Sequence, residues 1–229
     1  MKIPSKLFPG TFVIGDVHGC LHTLQVLIAE LPKDANIILV GDLVDRGNFS
    51  KAVVEYVIEN GYTCILGNHE SLMLDHIENA LAGDLTSDWS SIPYFGGYKT
   101  IADYRNDRAT LQKHLEWMRM LPRYVEIGKF FITHAFALPY YRRRNSPHAY
   151  GGLMSNRPSD AEEWGWDWEE GYENYDVINI YGHQVVEEID TGKNYIGIDT
   201  GAFMGRRLSA IGLETMEIVS VPTDARDIA

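Results

Sequence analysis

Three times in its first 82 residues the chain runs through an apolar stretch and ends it on a glycine followed by charge. The stretches are TFVI at 11–14, NIILV at 36–40 and YTCIL at 62–66; the clusters are GDVHG at 15–19, GDLVDRG at 41–47 and GNHE at 67–70. Helical apolar spacing follows each cluster, over about 21–31, 51–60 and 71–82. Strands alternating with helices through short connections build right-handed parallel units. Ligands of such sheets gather at the carboxyl ends of the strands. A greasy strand that ends on carboxylates also needs a counter-charge, a metal or a ligand there.

The rest of the chain reads differently. Residues 83–122 are expected to form a loop and one helix, with apolar positions at Leu111, Leu115, Met118 and Leu121 and a stop at Pro122. Strands are predicted at 124–127 and 130–133 around a Gly128-Lys129 turn, and a long irregular stretch at 136–175. Short strands are predicted at 177–181, 185–189, 195–198, 208–213 and 215–221. The chain begins as α/β and ends mostly as β, with no linker, so residues 1–229 are expected to be a single domain.

A hydrophobic content of 45% is that of a globular chain, and the net charge of -12 argues against nucleic acid or an anionic membrane as partner. A phosphate-bearing substrate would then need a local positive focus. No apolar run is long enough to span a membrane, and the N-terminus lacks the apolar stretch of a signal peptide. Cys20 and Cys64 read as buried thiols, not a disulfide framework. A cytoplasmic location is expected.

The candidate site collects Asp16, His18, Asp42, Asp45, Arg46, Asn68, His69 and Glu70 from the three clusters, with His134 after FFIT and His183 after VINIYG. Histidine and carboxylate without thiolate suit Mn, Fe or Zn. A set this rich fits two metals sharing a carboxylate, about 3.5–4 Å apart. Blander roles compete. Asp16 could cap the following helix, and Glu70 is expected to be a helix cap and not a catalyst. His22, His76, His114 and His148 lie off the strand ends and read as surface or packing residues.

These motifs resemble the phosphoprotein phosphatase branch of the calcineurin-like metallophosphoesterases, from about residue 12 to 213, with Asn156-Arg157 like that of the small bacterial and phage members. The resemblance implies a four-layer α/β/β/α sandwich with metals at one edge of the two sheets. It implies Asp16 and His18 on a first metal, Asp42 bridging, and Asn68, His134 and His183 on a second. It implies His69 as general acid oriented by Asp45, Arg46, Asn68 and Arg157 gripping phosphate, and a metal-bridging hydroxide as nucleophile. Two divalent ions are expected, Mn²⁺ first, with Fe, Zn or Ni possible.

The implied substrate is a phosphorylated protein or a small phosphoester, with serine/threonine phosphatase activity the leading expectation. The alternative is a symmetrical dinucleoside polyphosphate hydrolase, which VDRG and GNHE disfavour because its motifs typically read ARG and end in Asp. A scaffold that has lost its chemistry is a third reading, opposed by the intact residue set. YYRRR at 140–144 reads as a solvated basic patch, with a substrate contact as the alternative. The tryptophans of EEWGWDWEEGYENY at 162–175 are expected to pack their loop, with a lid, a self-association surface or base stacking as alternatives. FGGY at 95–98 reads as a turn before a helix, and Asp199 as support near the site and not a ligand.

Overall fold

The computed structural model describes residues 2–3, 10–158 and 171–229. Its first sheet grows from the repeated units. Strands β2 (Thr11–Ile14), β3 (Asn36–Leu39) and β4 (Thr63–Cys64) lie parallel in adjacent positions, following a short β1 (Lys2–Ile3) that belongs elsewhere. Helices α1 (Leu21–Glu30), α2 (Ser50–Glu59) and α3 (Asn68–Leu81) follow them in turn. The expected single helix of 83–122 is three helices: α4 (Asp88–Ser91), α5 (Gly97–Tyr104) and α6 (Arg108–Arg119). The apolar spacing at 111–121 reveals only the last, which buries Leu111, His114, Leu115 and Met118 on one face and is capped by Asp107 accepting from the Thr110 amide. α4 is a single turn and α5 two, too short to announce themselves by periodicity.

A second sheet follows. β5 (Tyr124–Ile127) and β6 (Phe130–Thr133) form the expected hairpin. After α7 (Tyr150–Ser155) come β7 (Ile178–Tyr181), β8 (Asp190–Thr191) and β9 (Tyr195–Gly197). β10 (Arg207–Gly212) and β11 (Ile218–Pro222) return to the first sheet. The sheets run β11-β10-β2-β3-β4 and β1-β5-β6-β7-β9-β8. The expected strand at 185–189 is absent. That stretch carries the chain from the carboxyl end of β7 back to the sheet edge, and its Val186 amide bonds the Asp199 carbonyl instead of a ladder.

Alternation along the strands divides the core. Val13, Ile38, Ile65, Ile132, Ile180, Ile196 and Ile211 point between the sheets. Phe12, Ile14 and Leu39 point the other way, onto Leu24, Leu27, Val53, Val54 and Val57 of the helices. On the outer face of the second sheet, Phe131 packs with Tyr140, Ala149 and Leu153, and Tyr181 with Phe136 and Leu138. The layers are helices, sheet, sheet, and a thin cover of α7 with single turns. All three polar clusters and both later histidines therefore sit at one edge of the stacked sheets, at the carboxyl ends of β2, β3, β4, β6 and β7.

Candidate active site

The loops at this edge are held in an unusual backbone. Among the described residues, six non-glycine residues have positive φ, and five belong to the candidate site: His18, Asp42, Asp45, Arg46 and His183, with φ from 44° to 72°. Left-handed conformations cost about 1–3 kcal/mol each and persist where surrounding structure enforces them. Close packing does so here. A Cβ on Gly182 would lie 1.9 Å from Asp16 Oδ1, so only glycine lets His183 approach that carboxylate. Glu70 supplies the rest of the clamp. Its carboxylate accepts the amides of Gly67, Asp42, Leu43 and Val44, at 3.1, 2.7, 2.7 and 3.3 Å. It caps α3 as expected, and it also fixes the second cluster's loop. Asp16 caps nothing. The α1 N-terminus is capped from the far end of the chain, where buried Asp227 accepts the His22 and Thr23 amides.

Asp42 is the centre of the arrangement. Its Oδ2 lies 3.4 Å from His18 Nε2 and 3.9 Å from His69 Nε2. Its Oδ1 lies 3.3 Å from His134 Nε2. Asn68 Oδ1 sits between His134 Nε2 at 2.8 Å and His183 Nδ1 at 2.9 Å. Two donor groups thus meet back to back on one carboxylate: His18, Asp42 and His69, and Asp42, His134 and His183. Asp16 stands beside them, its Oδ2 accepting the His183 amide at 3.0 Å.

The residues fit a pair of divalent cations on three counts. His18 and His134 each direct Nδ1 at a backbone carbonyl, Val44 at 2.8 Å and Val40 at 2.9 Å, which turns Nε2 inward, onto Arg46 and Asp42 for His18 and onto Asn68 and Asp42 for His134. The donors are nitrogen and oxygen only. Asp16 Oδ1 and Asp199 Oδ2 are buried with no hydrogen-bond partner among the described residues, and two such carboxylates side by side call for positive charge. Without it, burial and Asp199 push the Asp16 carboxyl well above its usual range, and burial lifts Asp199 to about 6. Burial opposes the charge on Asp42 too, but His134, His69 and His18 outweigh it and hold that carboxyl well below normal. Burial opposes a proton on His134, yet Asp42, Asp16 and Glu70 raise it to about 10, whereas burial and His134 drive His183 down to about 3.

A second constellation adjoins the first. His69 Nδ1 lies 2.7 Å from Asp45 Oδ2, both groups being essentially inaccessible to water. Trp89 Nε1 donates to the same oxygen at 2.7 Å, and the Thr100 hydroxyl donates to Oδ1 at 2.6 Å. Arg46 is half-buried between His18 Nε2 and the rings of Phe203 and Tyr94, which lie 4.4 and 5.4 Å from its guanidinium carbon. Its Nε bonds the Tyr94 carbonyl at 3.3 Å. Arg157 is exposed, and its charge bears on His183. Asn156 is buried and donates to the Phe136 carbonyl at 2.6 Å, which anchors the turn that carries Arg157.

The chain contributes more here than its motifs disclose. Trp89, Thr100 and Phe203 carry no motif. FGGY, read as a turn, places Gly96 so that a Cβ there would lie 2.2 Å from the Arg46 amide. The basic run is less solvated than expected: Arg142 stacks on Tyr175, Arg143 on Tyr140, and Arg144 on Tyr141 and Tyr124 beside Glu126. Of the other histidines, His22 pairs with Asp227, His76 stacks near Trp89 and His114 bonds Tyr104, all packing roles. Trp164, Trp166 and Trp168 lie outside the described residues.

Comparison with known proteins places the chain. The model of the calcineurin-like phosphoesterases matches residues 11–202. The chain belongs to this family. Members of this family work with dinuclear metal centres on phosphoesters, in keeping with the donor groups around Asp42. The chain is 27% identical to an asymmetrical bis(5'-nucleosyl)-tetraphosphatase of Anoxybacillus flavithermus, over 92% of its own length and 93% of that protein's. It is 28% identical to serine/threonine-protein phosphatase 2 of Salmonella typhimurium, over 90% and 94%. The structure of a protein serine/threonine phosphatase from Saccharomyces cerevisiae shares the fold with a TM-score of 0.64 at 12% identity, covering 98% of this chain and 83% of that one. The Salmonella relative is consistent with the phosphoprotein phosphatase branch, and the Anoxybacillus relative shows that the same family includes dinucleoside tetraphosphatases. No described helix is long and apolar enough to cross a membrane.

Proposed function

We propose that this phosphoesterase is a metal-dependent phosphomonoesterase acting on phosphoserine and phosphothreonine. The buried His69–Asp45 pair beside Asp42 carries the reading. A serine or threonine alkoxide leaves poorly and needs a proton, whereas a nucleoside polyphosphate leaves as a stable anion and needs one less. With Nδ1 held by Asp45, His69 keeps Nε2 for that proton.

One metal would take Asp16, His18 and Asp42, and the other Asp42, Asn68, His134 and His183, with Mn²⁺ the first choice and Fe, Zn or Ni compatible. When bound, the two ions supply an activated water nucleophile and neutralise charge on the phosphate. Arg46 and Arg157 would grip the phosphate oxygens, which a guanidinium can do in pairs. Arg46 is suited to this because Phe203 and Tyr94 border its plane and the Tyr94 carbonyl fixes its Nε. Left-handed backbone at both Asp45 and Arg46 turns the acid's partner inward and the phosphate clamp outward from neighbouring positions.

A second reading is cleavage of dinucleoside tetraphosphates. It is favoured by the Anoxybacillus relative, which aligns over nearly the whole chain. The experiment compares a phosphothreonine peptide with diadenosine tetraphosphate in parallel assays with added Mn²⁺. A higher kcat/KM on the peptide supports the first reading. A higher value on the dinucleotide moves the function to nucleotide hydrolysis. In that case the products distinguish symmetrical cleavage, giving two ADP, from asymmetrical cleavage, giving ATP and AMP.

A further inference from the structure

The carboxylate of Asp45 has more donors than the proposed acid requires. Its Oδ2 receives both His69 Nδ1 and Trp89 Nε1 at 2.7 Å, and its Oδ1 receives the Thr100 hydroxyl at 2.6 Å. The Asp45 amide is held in turn by Ser50 Oγ at 2.9 Å and Thr100 Oγ1 at 3.1 Å. Three of these groups arrive on three different helices: His69 opens α3, Trp89 lies in α4 and Thr100 in α5. Asp45, Trp89 and Thr100 are all at most 1% exposed, so no solvent competes for the carboxylate.

We propose that Trp89, with Thr100, is a positioning residue for the general acid: its indole N–H fixes the Asp45 oxygen that aims His69 at the leaving group. The inference rests on the general-acid reading of His69. A carboxylate held by one histidine can turn about its terminal torsion, which is broad. Donors on both oxygens define its plane. The indole N–H and the imidazole share a single oxygen, so any turn of the carboxylate that follows one loses the other. The His69 ring is therefore fixed in tilt as well as in distance, and misplacement at Nδ1 is carried through the rigid ring to Nε2.

The surroundings are shaped to admit the indole. A Cβ on Gly97 would lie 2.5 Å from Trp89 Cε2, so the glycine pair at 96–97 serves the site twice, once against Arg46 and once against this ring. His76 stacks near the ring, 6.4 Å away between centroids. An indole N–H is only a donor, and any buried carbonyl would satisfy it. That it spends its bond on the oxygen holding His69 sets this tryptophan apart from one that merely fills space.

The test uses the Mn²⁺-loaded full chain with two aryl phosphates. Phenyl phosphate has a poor leaving group that needs the proton, and 4-nitrophenyl phosphate has a good one that needs it less. Trp89→Phe keeps a ring in the slot and removes the N–H. It should lower kcat on phenyl phosphate about 10-fold and on 4-nitrophenyl phosphate less than about 2-fold, with KM little changed. In a His69→Asn background the same substitution should alter the ratio of the two rates less than about 2-fold. Thr100→Val should repeat the pattern, and Thr100→Ser, which keeps the hydroxyl, should restore it; this pair carries the test if Trp89→Phe does not fold.

Equal losses on both substrates would overturn the proposal, as would a leaving-group effect that persists without His69. Should His69→Asn itself cost the two substrates equally, the general-acid reading falls and the inference with it. Should His69→Asn discriminate between them and Trp89→Phe not, the inference alone falls.

Discussion

The two sheets contribute to the site in different ways. The five-stranded sheet delivers Asp16, His18, Asp42, Asp45, Arg46, Asn68 and His69 in three compact loops, four of these residues in left-handed backbone. The six-stranded sheet delivers single histidines: His134 just after β6 and His183 two residues after β7. The first sheet's groups are locked by local devices, chiefly the Glu70 clamp on the loop of Asp42. The second sheet's histidines are held across the gap, His134 by the Val40 carbonyl and His183 by its amide on Asp16. The difference teaches that a dinuclear site can be built asymmetrically. One side carries its geometry in its own sequence, and the other borrows geometry from the way the sheets stack.

The largest effect should come from the group that belongs to both halves. Asp42→Asn removes charge from the carboxylate facing both donor sets, and should lose both metals and about 10³-fold or more in kcat. Elemental analysis beside phosphate release checks this, and full metal occupancy in the variant would end the bridging assignment. His183→Ala sharpens the contrast. It should empty only the second sheet's half, leaving about one metal per chain and a loss of about 10²-fold, since the His18 side is held independently. Loss of both metals would show that the halves are not separable.

Glu70→Gln probes the local devices. Gln puts an NH₂ where one carboxylate oxygen accepts backbone amides, and the buried donors left unpaired should cost about 3 kcal/mol, which is about 6–12 °C in Tm for a chain of this size. A Tm unchanged in the metal-free protein would mean that the loop of Asp42 keeps its shape without the clamp.

The smallest effect lies away from the site. Burial holds His114 below its ordinary 6.5, with Tyr104 against its Nδ1. As pH falls through that value, the unfolded chain takes up a proton that the folded chain resists, so stability present at higher pH is lost below it. The fall in Tm from about pH 7.5 to 5.5 should be about 1–2 °C smaller in His114→Gln. An identical fall in both proteins would assign the acid sensitivity elsewhere.

Legibility followed the same division. The strand and helix of each early unit read clearly because burial on a sheet and on a helix imposes different periods, and three repeats reinforce one another. α4 was hidden because a four-residue helix is a single turn, and α5 showed only its start, where FGGY read as a turn before a helix, because eight residues hold too few turns for a period. Residues 185–189 misled because β-branched composition describes fitness for a sheet and says nothing about whether a partner strand lies alongside. Trp89 and Thr100 had no signal at all: eleven residues apart and joined to no motif, they meet only because α4 and α5 both pack over the loop of Asp45. Asp227, whose carboxylate caps a helix some 200 residues earlier, was silent for the same reason.

The sequence by itself determined the three charged strand ends and the chemistry available at them. Continuous apolar runs oblige those strands to be buried on both faces, and charge at their ends has no other place to go than one edge of the sheet. Only the tertiary structure decided which oxygen of Asp42 faces which histidines, which donors hold Asp45, and that His134 and His183 stand opposite the early loops. Those outcomes depend on two sheets closing over a shared layer of Val13, Ile38, Ile132 and Ile180, a packing that no local period specifies.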